Sequence, residues 1–246
     1  MNEIIQSLYT RKSVRVFEER PIAPEEKQAI LLAAAQAPTA GNQQLYTILD
    51  ITDQALKDRL AVTCDHQPFI AKAPLVLIFC ADPLKWTQGY ADAGCQPRPL
   101  GKGDLMLAVT DAVIAAQNAV VAAWSLGIGS CYIGDVMENC EEHRALLCLP
   151  DSVFPAAMLV FGYPTPQQQA RPKPARAELR HIVQENGYRV LEKEERRALF
   201  GGHLEGQEYA EWMQAFCKRK YGSDFAREMN RSVEKYLEAF PPAENS

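Results

Sequence analysis

Residues 103–129 read G-D-L-M-L-A-V-T-D-A-V-I-A-A-Q-N-A-V-V-A-A-W-S-L-G-I-G. From Leu105 to Leu126 the run is mostly Ala, Val, Leu and Ile, long enough to be weighed as a membrane span. Thr110, Asp111, Gln117, Asn118 and Ser125 interrupt it. A carboxylate and two amides at mid-span are costly in lipid, so the stretch reads as a core helix buried on most sides. A helix of that kind needs a sizeable core, or a second copy of the chain to cover it. Gly127 and Gly129 end it and lead into a strand at Ser130–Ile133.

On the N-terminal side, Ile4–Tyr9 reads as a short helix followed by a basic loop, Arg11-Lys12-Ser13-Val14-Arg15. Val16–Ile22 is extended. Pro24-Glu25-Glu26 opens the next helix, with proline in the first turn and acids against the dipole, and Pro38 stops it. A polar loop, Thr39-Ala40-Gly41-Asn42-Gln43-Gln44, precedes a strand over Leu45–Thr52, and Asp53 caps a helix through Leu60. Gln67–Ala73 forms a short turn-helix. Leu75–Cys80 is an unbroken apolar run of strand length, suited to a sheet centre covered on both faces. Asp82–Gly103 reads as an irregular excursion carrying Trp86 and Tyr90.

Downstream, Glu141–Leu147 is a short helix, Ala156–Tyr163 a buried strand, and Pro164–Pro174 a loop. Three polar helices follow, over Glu192–Leu199, Gln207–Lys220 and Ser223–Phe240, with apolar residues at helical spacing. The expected organisation is a core over 1–190 with a helical extension over 191–246. Four strands among many helices give an α+β fold, three layers in α/β/α order.

The 246 residues are 47% hydrophobic and 23% charged, with a net charge of −5. Such a composition excludes a disordered or low-complexity chain. An acidic balance also argues against a general nucleic-acid binder, so any phosphate bound should be small and met by a local basic cluster. Seven cysteines without a C-x-x-C pair, and no basic-then-apolar N-terminus, point to free thiols in the cytoplasm. Gly127 and Gly129 lack the third glycine of a dinucleotide fingerprint and follow a helix instead of a strand. The four histidines lie apart and do not suggest a metal site.

Three short segments carry the chemistry. Arg11-Lys12-Ser13-x-Arg15 puts three cations and a hydroxyl within five residues after a helix, a set suited to bidentate phosphate contact. Thr39–Gln44 offers hydroxyl, amide and backbone donors in a tight loop. Arg171-Pro172-Lys173-Pro174-Ala175-Arg176 is a second basic cluster on a proline-stiffened backbone. Taken singly, each has a bland reading as a helix end or a solvated linker.

Together and in this order they resemble the FMN-dependent nitroreductase family, in its larger flavin-reductase-like branch with extra C-terminal helices. R-K-S-V-R-V-F resembles the family's opening and A-P-T-A-G-N-Q-Q its Asn/Gln loop. The Gln67-bearing segment H-Q-P-F-I-A-K-A-P is similar to the one before the family's central strand. The long 103–129 run resembles its dimer-core helix, and the loop at 171–176 its return loop. The similarity spans roughly residues 2–190.

The resemblance implies a nitroreductase-like fold with a central mixed sheet, and a homodimer whose two FMN sites draw on both subunits. It places Arg11, Lys12 and Ser13 at the FMN phosphate, with Lys173 and Arg176, and Arg15 at the phosphate or pyrimidine edge. Asn42 and Gln67 would meet the flavin ring or ribityl chain, and Thr39 and Ala40 would supply loop contacts. Tyr132, Ile133 and Gly134 would cover one flavin face, so the cofactor and not a protein nucleophile carries the chemistry. The implied activity is hydride transfer from NADPH or NADH to the flavin and on to nitroaromatics, quinones or free flavin. Two departures stand out: K-P-A-R in the return loop and Asp135-Val136 after Gly134. A flavin-storage role and a reductive dehalogenation on the same fold are the alternatives.

Overall fold

The computed structural model describes residues 1–204 and 206–241. They fall into two compact units, Met1–Arg171 with the chain from Glu228 onward, and Pro172–Arg227. The first unit runs α1 (Glu3–Thr10), α2 (Pro24–Ala35), β1 (Tyr46–Asp50), α3 (Gln54–Thr63), α4 (Pro68–Lys72) and β2 (Leu75–Ala81). It continues through α5 (Leu84–Asp92), α6 (Lys102–Ser125), β3 (Gly129–Ile133), α7 (Cys140–Leu147), β4 (Phe154–Gly162) and α8 (Pro166–Ala170). The second unit holds α9 (Lys193–Phe200), α10 (Tyr209–Lys220) and the start of α11 (Asp224–Leu237), whose remainder belongs to the first.

Local chemistry sets the helix starts. The Asn2 side chain accepts from Ile5 N at 2.9 Å, and that of Asp53 from Leu56 N at 2.7 Å. Pro24 opens α2 while Glu26 reaches back to Ala23 N at 2.9 Å. Two segments expected to be irregular are partly helical. Leu84–Asp92 forms α5, with Trp86 and Tyr90 one turn apart and ring centroids at 5.8 Å, a pairing that sequence propensity did not weigh. Within Pro164–Pro174 a single turn, α8, forms because Thr165 caps Gln168 N at 3.3 Å and Pro166 sits at its first position.

The sheet has the order β1-β2-β4-β3, and all three ladders are antiparallel. A mixed sheet was the expectation. Parallel pairing occurs as an isolated bridge between Ser13 and Ser130. The two inner strands, β2 and β4, are buried along their whole length. Their side chains alternate between two cores: Leu75, Leu77 and Phe79 meet α2 and α6 on one face, while Val76, Ile78 and Cys80 meet α3 and α4 on the other. Helices on both faces make the three layers. Each fully buried Leu, Ile or Phe here contributes about 1.5–3 kcal/mol by area.

Helix α6 is long and apolar enough to cross a membrane by length and composition, yet it serves this sheet. Ala108, Ala112, Ala115, Ala116, Ala119 and Ala123 form its buried side, and their small size brings the helix axis close to β2 and β4. Expected to be buried on most sides, α6 instead leaves a stripe uncovered. Met106, Thr110, Val113 and Gln117 are exposed, and Val121 and Trp124 continue the stripe half-buried. Ile4, Ile5, Leu8 and Tyr9 of α1 are exposed apolar residues as well.

Candidate functional site

The basic segment is held across one end of the sheet. Arg11 closes α1, its N–H donating to Ser7 O at 2.9 Å. Val14 N donates to Ser130 O at 2.9 Å, and Glu18 N to Tyr163 O at 2.8 Å. The chain therefore runs over the ends of β3 and β4, with Val14 buried and Arg15 turned outward.

Two glycines make that crossing possible. Gly129 and Gly162 are paired in the β3–β4 register, and neither could carry a side chain without displacing the segment above. Residue 129 was weighed in sequence as part of a failed nucleotide fingerprint. Its role is close backbone approach.

Around this crossing the structure gathers Arg11, Ser13, Arg15, Cys131 and Tyr132. Burial pushes the Cys131 thiol up, and Arg15, Ser13 and Arg11 pull it partly back. Burial also raises the Tyr132 phenol, with Arg11 opposing. The Arg15 guanidinium lies 6.0 Å from the centre of the Phe69 ring on α4, which brings the Gln67 end of that helix to the same side. Gln67 Nε2 donates to Cys64 O at 2.9 Å. Ile133 is buried, and Gly134 is exposed at the start of a single 3-10 turn over Gly134–Met137.

Lys12 is committed elsewhere. Its ammonium donates to Gln169 O at 2.5 Å and to the carbonyl of Arg171, tying the basic segment to the end of α8. Two of its three donors are thereby used. Gln168, buried, accepts from Arg15 N at 3.3 Å through Oε1, a positioning contact with no signal in the sequence. A cavity of about 520 Å³ opens beside this point, lined by Val16, Thr165, Gln167, Gln168, Ala170 and Arg171. Lys173 and Arg176 lie in the second unit, where Arg176 Nη1 donates to Pro174 O at 3.4 Å.

The Thr39–Gln44 loop is built on α6. Asp111, only 3% exposed, accepts from the Thr39 hydroxyl, from Ala40 N at 3.0 Å and from Leu45 N at 3.1 Å. Gln44 N donates to Thr39 Oγ1 at 2.7 Å, and Trp86 Nε1 to Gln43 O at 2.7 Å. Gly41 and Asn42 both take φ of +58°, which presents Asn42 to solvent. Asp111 is the residue that sequence reasoning saw without seeing its task. A lone acid in an apolar helix must find donors once buried, and the polar loop supplies them.

Tyr132 also leans on α6, its hydroxyl lying 3.3 Å from Gln117 Oε1. Gln117 and Asp111 are six residues apart, about 9 Å along the axis and about 120° around it. Thus Arg11, Ser13, Arg15 and Tyr132 gather at the sheet end, Gln67 caps the helix whose Phe69 lies near Arg15, and Thr39 and Ala40, in the loop that carries Asn42, are fixed by Asp111.

A family model described as the nitroreductase family matches residues 8–163. The chain is 31% identical over 240 residues to a Bacillus subtilis protein named FMN reductase (NAD(P)H), covering 97% of this chain and 92% of that one. It is 34% identical over 194 residues to the oxygen-insensitive NADPH nitroreductase of Salmonella typhimurium, covering 78% of each. Among solved structures, NfrA2 of B. megaterium superimposes with a TM-score of 0.86 at 27% identity, covering 98% of this chain and all of that one.

Proposed function

The chain belongs to the nitroreductase family, and from that premise we propose that it is an FMN-dependent oxidoreductase. It takes hydride from NAD(P)H and passes electrons to small planar acceptors, namely nitroaromatics, quinones or free flavin. The observation that carries this reading is the gathering of Arg11, Ser13 and Arg15 around Cys131 at the sheet end, with Arg11 also beside Tyr132. In an acidic protein, two guanidiniums and a hydroxyl converging on one point form a donor set that fits a phosphate monoester. When bound, FMN supplies the hydride-accepting chemistry.

The protein's own residues bind and orient. Arg11, Ser13 and Arg15 hold the phosphate, and Lys12 adds its remaining donor. Lys173 and Arg176, in the second unit, keep only the likeness of their loop to the family's return loop, whose cations the resemblance gives to a phosphate. Tyr132, Ile133 and Gly134 shape one face of the ring site. Gln67 and Asn42 are its polar contacts, while Thr39 and Ala40, being bonded to Asp111, keep the Asn42 loop in shape.

The working form is a homodimer. Its support is the uncovered apolar stripe of α6 beside the exposed apolar residues of α1, together with the separation between the Asn42 loop and the Arg11 cluster. A second copy laid on the stripe covers it and lets each site draw on two chains. All seven cysteines are unpaired, which fits a cytoplasmic setting.

One experiment tests the activity. Purified protein reconstituted with FMN is titrated anaerobically with NADPH and with NADH while flavin absorbance is followed. Stoichiometric bleaching, faster with NADPH, is expected. Protein that stays colourless after incubation with FMN overturns the proposal, and a monomeric mass for the FMN-loaded form overturns the dimer.

A further inference from the structure

Immediately beyond the Gly134–Met137 turn, Glu138 is 5% exposed, and its Oε1 has no hydrogen-bond partner among the described residues. Its own N–H donates to Asp135 O at 3.0 Å, closing the turn. A buried carboxylate oxygen without a donor is costly if ionised and tolerable if protonated.

The groups packed around it sharpen that contrast. Asp135 faces it from the turn, Asp65 from the link between α3 and α4, and Glu228 from α11. His143 of α7 lies alongside, its ring within hydrogen-bond distance of Val136 O at 2.9 Å and Thr63 Oγ1 at 2.8 Å, and burial holds the imidazole below its ordinary titration range. Burial likewise pushes the Cys64 thiol up, with Asp135 and Glu138 adding to the effect. Glu228 is itself paired with Arg231, which it shares with Glu141 through four hydrogen bonds of 2.8–3.0 Å.

What Glu138 sits beneath is a joint. Glu228 Oε1 accepts from Asn139 N at 3.1 Å and from the Ser232 hydroxyl at 2.7 Å, while Ser232 Oγ accepts from Cys140 N at 3.0 Å. Two side chains of α11 thus cap the first amides of α7, where Asn139 takes a φ of +48°. The cap and the buried carboxylate share Glu228 as neighbour.

We propose that Glu138 is a proton-linked latch: protonated, it lets α11 close on the start of α7, and ionised, it repels Glu228 and loosens that cap. Burial first, then Asp135, Asp65 and Glu228, raise its carboxyl to about 7, within the range of cellular pH. The sign follows from linkage. A carboxyl held above its ordinary value in the folded form stabilises the closed joint fully below that ordinary value, and the contribution is lost as pH rises through about 7. The latch reads folding and not turnover, so it stands or falls apart from the flavin assignment.

Amide hydrogen exchange at Asn139 and Cys140 in the full-length protein tests it, after correction for the intrinsic pH dependence of exchange. Protection should fall about tenfold from pH 6 to pH 8. Glu138→Gln should remove that fall, and Asp65→Asn, at a position whose φ of +59° suits asparagine, should shift it to lower pH. Flat protection in the wild type, a Glu138→Gln protein that keeps the full drop, or an unmoved midpoint in Asp65→Asn overturns the latch. Should Glu138→Gln not fold, the Asp65→Asn midpoint decides alone.

Discussion

Gly129 and Gly162 stand opposite each other across the β3–β4 ladder, and the absence of both Cβ atoms is what lets the basic segment lie on the sheet end. A Cβ on Gly129 would come within 2.4 Å of Val14 Cγ2, and one on Gly162 within 2.6 Å of the Phe17 ring. The position of the phosphate-binding candidates thus rests on two residues whose role is to leave room for the segment above them.

Gly129→Ala should therefore disturb the site without altering its chemistry. Overpacking of this kind costs about 1–3 kcal/mol. A lower thermal midpoint together with weaker FMN retention is expected, and Val14→Gly in the same chain should recover part of both. Calorimetry and the flavin content of the purified protein check the pair.

Asp111→Asn should act through the loop. The amide cannot accept from the Thr39 hydroxyl, Ala40 N and Leu45 N together, so a buried donor is left unsatisfied. A destabilisation of about 1–3 kcal/mol is expected. KM for the acceptor should rise more than kcat falls, because the loop is displaced while the phosphate cluster is untouched. Denaturant melts and steady-state kinetics measure the two effects.

The double substitution of Arg11 and Arg15 by alanine should abolish FMN retention with little loss of fold, since Arg15 is exposed and Arg11 half-buried. Two charge-assisted hydrogen bonds to a phosphate are worth about 3 kcal/mol or more, an affinity loss of about 100-fold or greater. Fluorescence titration with FMN reads it directly. Unchanged affinity would move the phosphate to another part of the chain.

Thiol labelling offers a check on the fold itself. Cys95, Cys148 and Cys217 are exposed, whereas Cys64, Cys80, Cys131 and Cys140 are buried, with thiols pushed up by desolvation. A chromogenic disulfide at neutral pH should count three fast thiols in the native protein and seven in denaturant.

Much of the architecture was legible because its signals are local. The unbroken run of β2, the proline and acids opening α2, and the aspartate before α3 each announce an element within a few residues. The α5 helix was not legible, since its Trp86–Tyr90 pairing competes with prolines and glycines on either side. Nor was the antiparallel closure of the sheet, because strand direction is set by connections and not by composition. Within the site, the cations and the Asn42 loop stood out as clusters. Asp111 and Gln168 did not, because each acts on a segment distant in sequence: 111 on 39–45, and 168 on 15.

The three bonds to Asp111 have a consequence for how the molecule meets a ligand. With its hydroxyl and two amides already satisfied by protein, the Thr39–Gln44 loop is set before anything binds. If the loop walls the proposed flavin site, association there spends little conformational entropy on ordering it, and affinity follows contacts made and water displaced. On the proposed assignment, a preorganised wall presenting outward-facing asparagine and glycine would receive planar acceptors of differing outline without reshaping for each.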